Sequence, residues 1–293
     1  LRRLILLIIL AVWLAIPGAA WCYDLLIVQS QRSPVYDEVL RGFHSVARFS
    51  ERVIVMTDYN EIDLVRIVRE ENPAAIVTLG DKALTAARKA RQTPIIALMA
   101  LSYRAGMAGH SATTGVEVQS PPERYLQIFD TIKSRKVGII GSAVRSAAYI
   151  KQARKAAAAF GIDLVVREVK SPREVPEQLA SLAGLVDALW MLPDSATAAG
   201  EAADAHFLFS AGHKIPVITF SSAYLSSGAA LAIDIDRFDN GKQGGEMVSQ
   251  LMDGARIAAI PPQLPRRTFI RSNQSVLRRL DLKPDPAAVK GAE

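Results

Sequence analysis

The chain has 293 residues, half of them hydrophobic, and 35 Lys and Arg against 29 Asp and Glu give it a formal charge of +6. That length is ample for two small lobes, each with its own core. A single cysteine excludes an internal disulfide or a cysteine-based metal site, and scattered basic residues with 6% aromatics argue against nucleic acid as a partner.

Arg2 and Arg3 precede an apolar run over 4–16, and Pro17-Gly18-Ala19-Ala20 follows. A basic start, a short apolar centre and small residues at its end predict an export signal over 1–20, cleaved after Ala20. The run is shorter than the roughly 20 residues of a membrane-spanning helix, and an uncleaved N-terminal anchor is the other reading. Trp21 stands where a lipidation signal wants a small residue, so Cys22 is expected to remain a free thiol. Loss of the two arginines lowers the formal charge to +4, a mild basicity compatible with attraction to anionic surfaces. The expected location is periplasmic.

Downstream, strand-like and helix-like segments alternate. Strands are predicted at 25–28, 52–56, 75–79 and 94–99, and helices at 36–49, 62–71 and 82–90. The helix at 36–49 carries Val39, Leu40, Phe43, Val46 and Ala47 on one face. A second unit repeats the pattern, with strands at 136–140, 163–169, 188–192 and 216–220 and helices at 147–160, 175–183 and 196–211. Continuous runs of Val, Ile and Leu alternating with helices predict parallel sheets covered on both faces. The fold class read from this order is α/β, with two doubly wound parallel-sheet lobes joined by hinge crossings.

The crossings are expected at Thr114-Gly115-Val116, at 232–236 and near 260–264. The first lobe would then comprise 21–115 with a return segment at 236–258, holding a helix at 241–252. The second would comprise 116–235 with 259–282. Residues 283–293 hold two prolines and no apolar period, and are expected to form a disordered tail.

In doubly wound sheets a ligand lies outside the carboxyl ends of the strands. That rule selects 29–33, 80–82 and 100–104 in the first unit, and 141–146, 193–195 and 220–222 in the second. The candidate ligand-binding residues there are Ser30, Arg32, Tyr36, Gly80, Asp81, Lys82, Ser102, Tyr103, Ser142, Arg145, Ser146, Asp194, Ser195 and Ser221, with Asp236 at the second crossing. Each has a structural alternative. Ser30 or Ser33 suits the cap of the following helix, Asp81 the helix at 82–90, and Asp194 or Ser195 the helix at 196–211. A capped helix start also presents free N–H groups to an anion. A ligand amino group needs an acidic partner, for which Asp194 and Asp236 are the candidates. Tyr36 and Tyr103 suit the apolar part of a pocket or ordinary packing.

Segment 191–254 orders these features as strand, Pro193-Asp194-Ser195, helix, Ile215-Pro216-Val217, Phe220-Ser221-Ser222, Gly228-Ala229-Ala230 and Asp236 to Gly241. With Lys136-Val137-Gly138-Ile139-Ile140 and Leu185-Val186-Asp187-Ala188, it resembles the substrate-binding proteins of ABC transporters, of the type I periplasmic binding protein fold. The branch it is most similar to is that of aromatic amino-acid binding. Arg41-Gly42-Phe43 and Pro94-Ile95 support the resemblance in the first unit. It implies a small polar ligand, an amino acid or a related compound, held between lobes that close about a hinge. It also implies an ABC permease as membrane partner and no cofactor. The alternative of the same fold is a sensor reporting to a membrane kinase or cyclase. Ser102-Tyr103 replaces the family's Asp-Pro, Arg145-Ser146 its Asn-Ser, and Ser221 a frequent acidic residue. These departures point to a more anionic or neutral ligand.

Catalytic patterns are missing from the sequence. Gly109-His110-Ser111-Ala112-Thr113 lacks the spacing of a nucleophile elbow, and His206 and His213 lack the i, i+4 spacing of a zinc pair. An exported hydrolase is the remaining enzyme reading, and no enzyme and no metal is the expectation.

Overall fold

The computed structural model describes residues 23–103, 112–194, 196–198 and 200–284. The expected export signal, Cys22, residues 109–111 of the motif at 109–113, Ser195 and the residues from 285 onward lie outside the described residues.

The first sheet has the order β2-β1-β3-β4-β5, all parallel, built from Leu25–Gln29 (β1), Glu51–Val55 (β2), Ala75–Leu79 (β3), Ile95–Leu98 (β4) and Thr113–Gly115 (β5). Strands β1, β3 and β4 are buried at every position, as a strand covered on both faces requires. Its helices are Pro34–His44 (α1), Leu64–Glu71 (α2) and Asp81–Ala87 (α3). Ser33 caps α1, its Oγ accepting from Val35 N at 3.3 Å, and Pro34 takes the first turn, where no N–H is missed. Asn72 ends α2 in the left-handed conformation, before Pro73. Helix α1 stops at His44, short of the predicted 49, and the Ser45 hydroxyl turns back to Gly42 O.

The second sheet has the order β11-β10-β9-β8-β6-β7, from Lys136–Ser142 (β6), Asp163–Val169 (β7), Ala188–Trp190 (β8), Val217–Thr219 (β9), Leu231–Ile235 (β10) and Thr268–Ser272 (β11). Only the β10–β11 pairing is antiparallel. The helices of this lobe are Pro122–Thr131 (α4), Ala147–Ala157 (α5), Val175–Ala180 (α6) and Glu201–His213 (α7). Arg237–Met252 (α8) returns to the first lobe, and Gln274–Arg279 (α9) closes the second. Trp190 is fully buried at the centre of one core face, with the rings of Tyr125, Phe129 and Tyr149 at 4.7, 5.8 and 5.9 Å. The architecture is two α/β lobes with parallel-dominated sheets, as the order of segments predicted.

Differences from the sequence reading have local causes. Helix α7 begins at Glu201 rather than 196, because Asp194 captures the N–H of Ala196 in a tight turn and Gly200 follows at φ +53. Helix α8 begins four residues earlier than predicted, since Asp236 caps it by accepting from Asp239 N at 2.9 Å. Strands β5 and β11 and helices α4 and α9 were not anticipated.

Helix α8 joins the first lobe by lying directly on α1. A Cβ on Gly42 would sit 1.9 Å from Phe238 O, and one on Gly241 1.8 Å from Val39 O. Two glycines therefore let the helix backbones touch, at a separation no larger residue allows. Three connections link the lobes. Val116 pairs with Gln263, and Asp236 N donates to Arg267 O at 3.0 Å. The third connection stays with the first lobe further than predicted. Ile260 packs in that lobe's core, and Gln243 of α8 holds Gln263, Leu264 and Arg266 through its side-chain amide.

Candidate functional site

A cavity of about 180 Å³ lies where the lobes meet. Val35, Met99 and Leu101 line it from the first sheet's carboxyl edge, Phe220, Ser221 and Ala223 from the second, and Val118, Asp234, Ile235 and Arg237 from the crossings. Seven of these ten are apolar. The charged pair is Asp234 and Arg237, with Arg237 Nη2 3.5 Å from Asp234 Oδ2 and Nη1 3.5 Å from Glu38 Oε2 on α1. Asp234 is 7% exposed and accepts a hydrogen bond from the Ser222 hydroxyl. Beneath it, burial pushes the Tyr125 phenol above its ordinary range. Arg237 thus spans from helix α1 to strand β10 at the hinge.

Ser30, Tyr36, Gly80, Asp81 and Ser102 of the first lobe gather at the start of α3. Ser30 does not cap α1; its Oγ accepts from Ala83 N at 3.0 Å and so caps α3 from a neighbouring loop. Gly80, at φ +87, lets Ser30 and Tyr36 close over the start of α3, because a Cβ there would fall 2.1 Å from Tyr36 Oη. Burial raises the Tyr36 phenol pKa, and the hydrogen bond to Ser30 offsets part of that. Asp81 does not cap α3 with its side chain. Its Oδ1 accepts from Ser102 N at 2.6 Å and Ser102 Oγ at 2.5 Å, fixing the loop that carries Met99 and Leu101. Tyr103 is 3% exposed within the lobe's core, away from the cavity lining. Arg32 points to solvent and pairs with Asp58 at 2.6 Å, and Lys82 is exposed.

A second cluster lies in the other lobe. The Asp194 side chain is fully buried, and its oxygens accept from Ser142 N at 2.9 Å, Ser146 Oγ at 2.5 Å and Ala196 N at 2.9 Å. Three donors occupy the carboxylate sequence reasoning offered to a ligand amine. Arg145 reaches it at 4.0 Å with its side chain 40% exposed. Asp236 is likewise occupied as the cap of α8. Among the described candidates, Ser221, half-buried, is the one that lines the cavity. Among the described residues the Ser30 cluster and the Asp194 cluster each close their hydrogen bonds within their own lobe.

Asp234, Arg237 and the apolar wall at Val35, Met99, Leu101, Val118 and Phe220 were missed. One signal was available for Asp234: a carboxylate inside Leu231–Ile235, a strand buried at every position, demands a partner. Among the described residues no group of three or more His, Cys, Asp and Glu side chains could hold a metal ion. Nor is any described helix long and apolar enough to cross a membrane.

A family model described as ABC transporter substrate binding protein matches residues 57–292. The chain belongs to this family. It is an extracytoplasmic family whose members bind substrates rather than transform them. A curated relative, the tyrosine-binding protein of Clostridioides difficile, is 25% identical over 165 residues, which are 55% of this chain and 47% of that protein. The chain thus spans about half the length of that relative. Among solved structures, the ABC domain from Streptococcus pneumonia in complex with L-Trp superposes with a TM-score of 0.67 at 16% identity, covering 92% of this chain and 98% of that one. The ligand-free, open form of a substrate binding protein with adhesive properties from Clostridium difficile gives 0.68 at 18%, covering 92% and 99%. At such identities these matches speak for the fold.

Proposed function

We propose that this chain is the extracytoplasmic solute-binding component of an ABC transporter, and that its ligand is an amino acid with an apolar side chain. The carrying observation is the cavity between the lobes, apolar over most of its wall with one carboxylate and one guanidinium at its rim. A zwitterion satisfies both charges, its ammonium on Asp234 and its carboxylate on Arg237, while the side chain displaces water from Val35, Leu101 and Phe220. Asp234 supplies the acid that Ser221 replaces after β9, so the expected anionic or neutral ligand gives way to a zwitterionic one. The relatives named for tyrosine and solved with L-Trp favour the same class.

Closure follows from the separation of the two clusters. A ligand touching Asp234 and both walls stabilises the state in which the lobes approach. Residues 259–266 move with the first lobe, since Gln243 anchors them. The closed form then docks on a membrane permease, and the chain reaches that side of the membrane through its N-terminal signal. Titration calorimetry with L-tyrosine, L-tryptophan, L-leucine and ribose tests the reading. Micromolar or tighter binding of an amino acid, with a smaller radius of gyration in solution scattering, is expected. Binding of ribose alone overturns the ligand class.

A further inference from the structure

The chain's basic excess has an address. Residues 24–265 hold equal numbers of cationic and acidic side chains, whereas 266–283 hold six cations, from Arg266 to Lys283, against Asp281 alone. The scatter seen along the sequence therefore conceals one basic segment, and that segment is strand β11 with helix α9. Strand β11 is the outer strand of its sheet. Arg267, Phe269 and Arg271 fall on one face of the chain by strand alternation, and all three are exposed, Phe269 to 42%. Helix α9 adds Arg278 and Arg279 in its last turn, both exposed. Arg266 is committed to Asp239 and Glu246, but the other four arginines have no carboxylate partner among the described residues. Arg279 also borders a depression of about 560 Å³ whose apolar wall includes Phe207 and Leu208, the latter 75% exposed.

We propose that this edge of the second lobe docks on an anionic phospholipid surface, with Arg267, Arg271, Arg278 and Arg279 on the phosphates and Phe269 and Leu208 in the headgroup layer. Guanidinium groups match phosphate oxygens in pairs, and an exposed aromatic among cations partitions readily into an interface. Charge on an outer strand also discourages edge-to-edge pairing, but Arg278 and Arg279 stand on a helix, outside that role. The surface lies apart from the cavity lining, so this inference does not depend on the ligand proposed above.

Vesicle co-sedimentation of the full chain tests it, reading binding to phosphatidylcholine–phosphatidylglycerol vesicles in excess of binding to phosphatidylcholine alone. The N-terminal apolar run is common to every variant and cancels. Each arginine near such a surface contributes roughly fivefold to partitioning. The triple change Arg267→Glu, Arg271→Glu and Arg279→Glu is therefore expected to cost at least ~100-fold. A control of equal charge, Arg66→Glu, Arg69→Glu and Arg91→Glu on the other lobe, retains at least ~10-fold more binding than the triple. Phe269→Ser weakens binding that persists at high salt. Equal loss in the two triple variants makes the attraction one of net charge alone and overturns the site. Absence of phosphatidylglycerol-dependent binding overturns it as well, and retention on an immobilised acidic polypeptide in that case assigns the patch to an acidic protein. Unchanged melting temperatures establish that the variants are folded.

Discussion

The hydroxyl of Ser146 donates to Asp194 at 2.5 Å within the second lobe, and both residues are 1% exposed. Ser142 N and Ala196 N complete the shell, so this acid ties the loop after β6 to the turn after β8. Its work is holding lobe 2's carboxyl edge in shape. Asp194→Ala leaves three buried donors unpaired and is expected to cost about 2–4 kcal/mol of stability. Urea unfolding measures it. A loss under 1 kcal/mol would show that water replaces the carboxylate.

Asp234 is predicted to behave in the opposite way. It lines the cavity, and Arg237 and Ser222 leave it able to accept a ligand ammonium. Asp234→Asn keeps the shape and removes the charge, and charge-assisted hydrogen bonds contribute about 1.5–3 kcal/mol. Amino-acid affinity should fall about 10- to 100-fold in calorimetry. Retained affinity in this variant would place the ammonium elsewhere.

Helix α8 belongs to the first lobe only because Gly241 lets it lie on α1. Gly241→Ala puts a methyl 1.8 Å from Val39 O, where backbone on both sides must move. An overpacked helix contact of this kind costs about 3 kcal/mol or more. Calorimetric melting should show a drop of several degrees or loss of the transition, whereas Gly212→Ala on α7, with open space around its Cβ, is expected to leave the transition in place.

His206 links stability to pH. It is 1% exposed on α7, and burial depresses its pKa to about 4, against the smaller opposing effect of the Ala202 carbonyl. A depressed pKa favours the neutral ring in the folded state. Its contribution is intact above the unfolded value of about 6.5 and is lost as pH falls from there toward 4. The loss approaches roughly 3 kcal/mol. Urea midpoints at pH 7 and pH 4.5 should diverge for the native chain and converge for His206→Phe. Parallel midpoints in both chains would assign the acid sensitivity to other groups.

Legibility in the sequence was uneven for physical reasons. Buried parallel strands announce themselves as runs of branched apolar residues, so β1 and β3 were readable almost to the residue. Strand β11 was not, because its five residues, Thr268 to Ser272, hold only Phe269 and Ile270 as an apolar pair and carry no such run. Helix α9 has six residues and no full apolar period. At the site, the rule that ligands gather at carboxyl edges selected two loops that reach the cavity, through Leu101 and through Phe220 and Ser221, but not most of the groups that line it. Tyr103 turned inward to the core, Asp194 and Asp236 went to backbone donors, and Asp234 was passed over.

By itself the sequence determined the alternation of elements, the α/β class and the family, since these follow from local hydrophobic period and from residues close in the chain. Tertiary structure decided which carboxylate lines the cavity. Asp194, Asp234 and Asp236 are chemically alike, and the donors brought from 52 and 48 residues away on Ser142 and Ser146 distinguish the first from the second. It also decided how closely α8 lies on α1, because Gly42 and Gly241, far apart in sequence, each face the backbone of the other helix. Local pattern reflects burial against a face; the partner of a charge depends on what the folded chain carries to it.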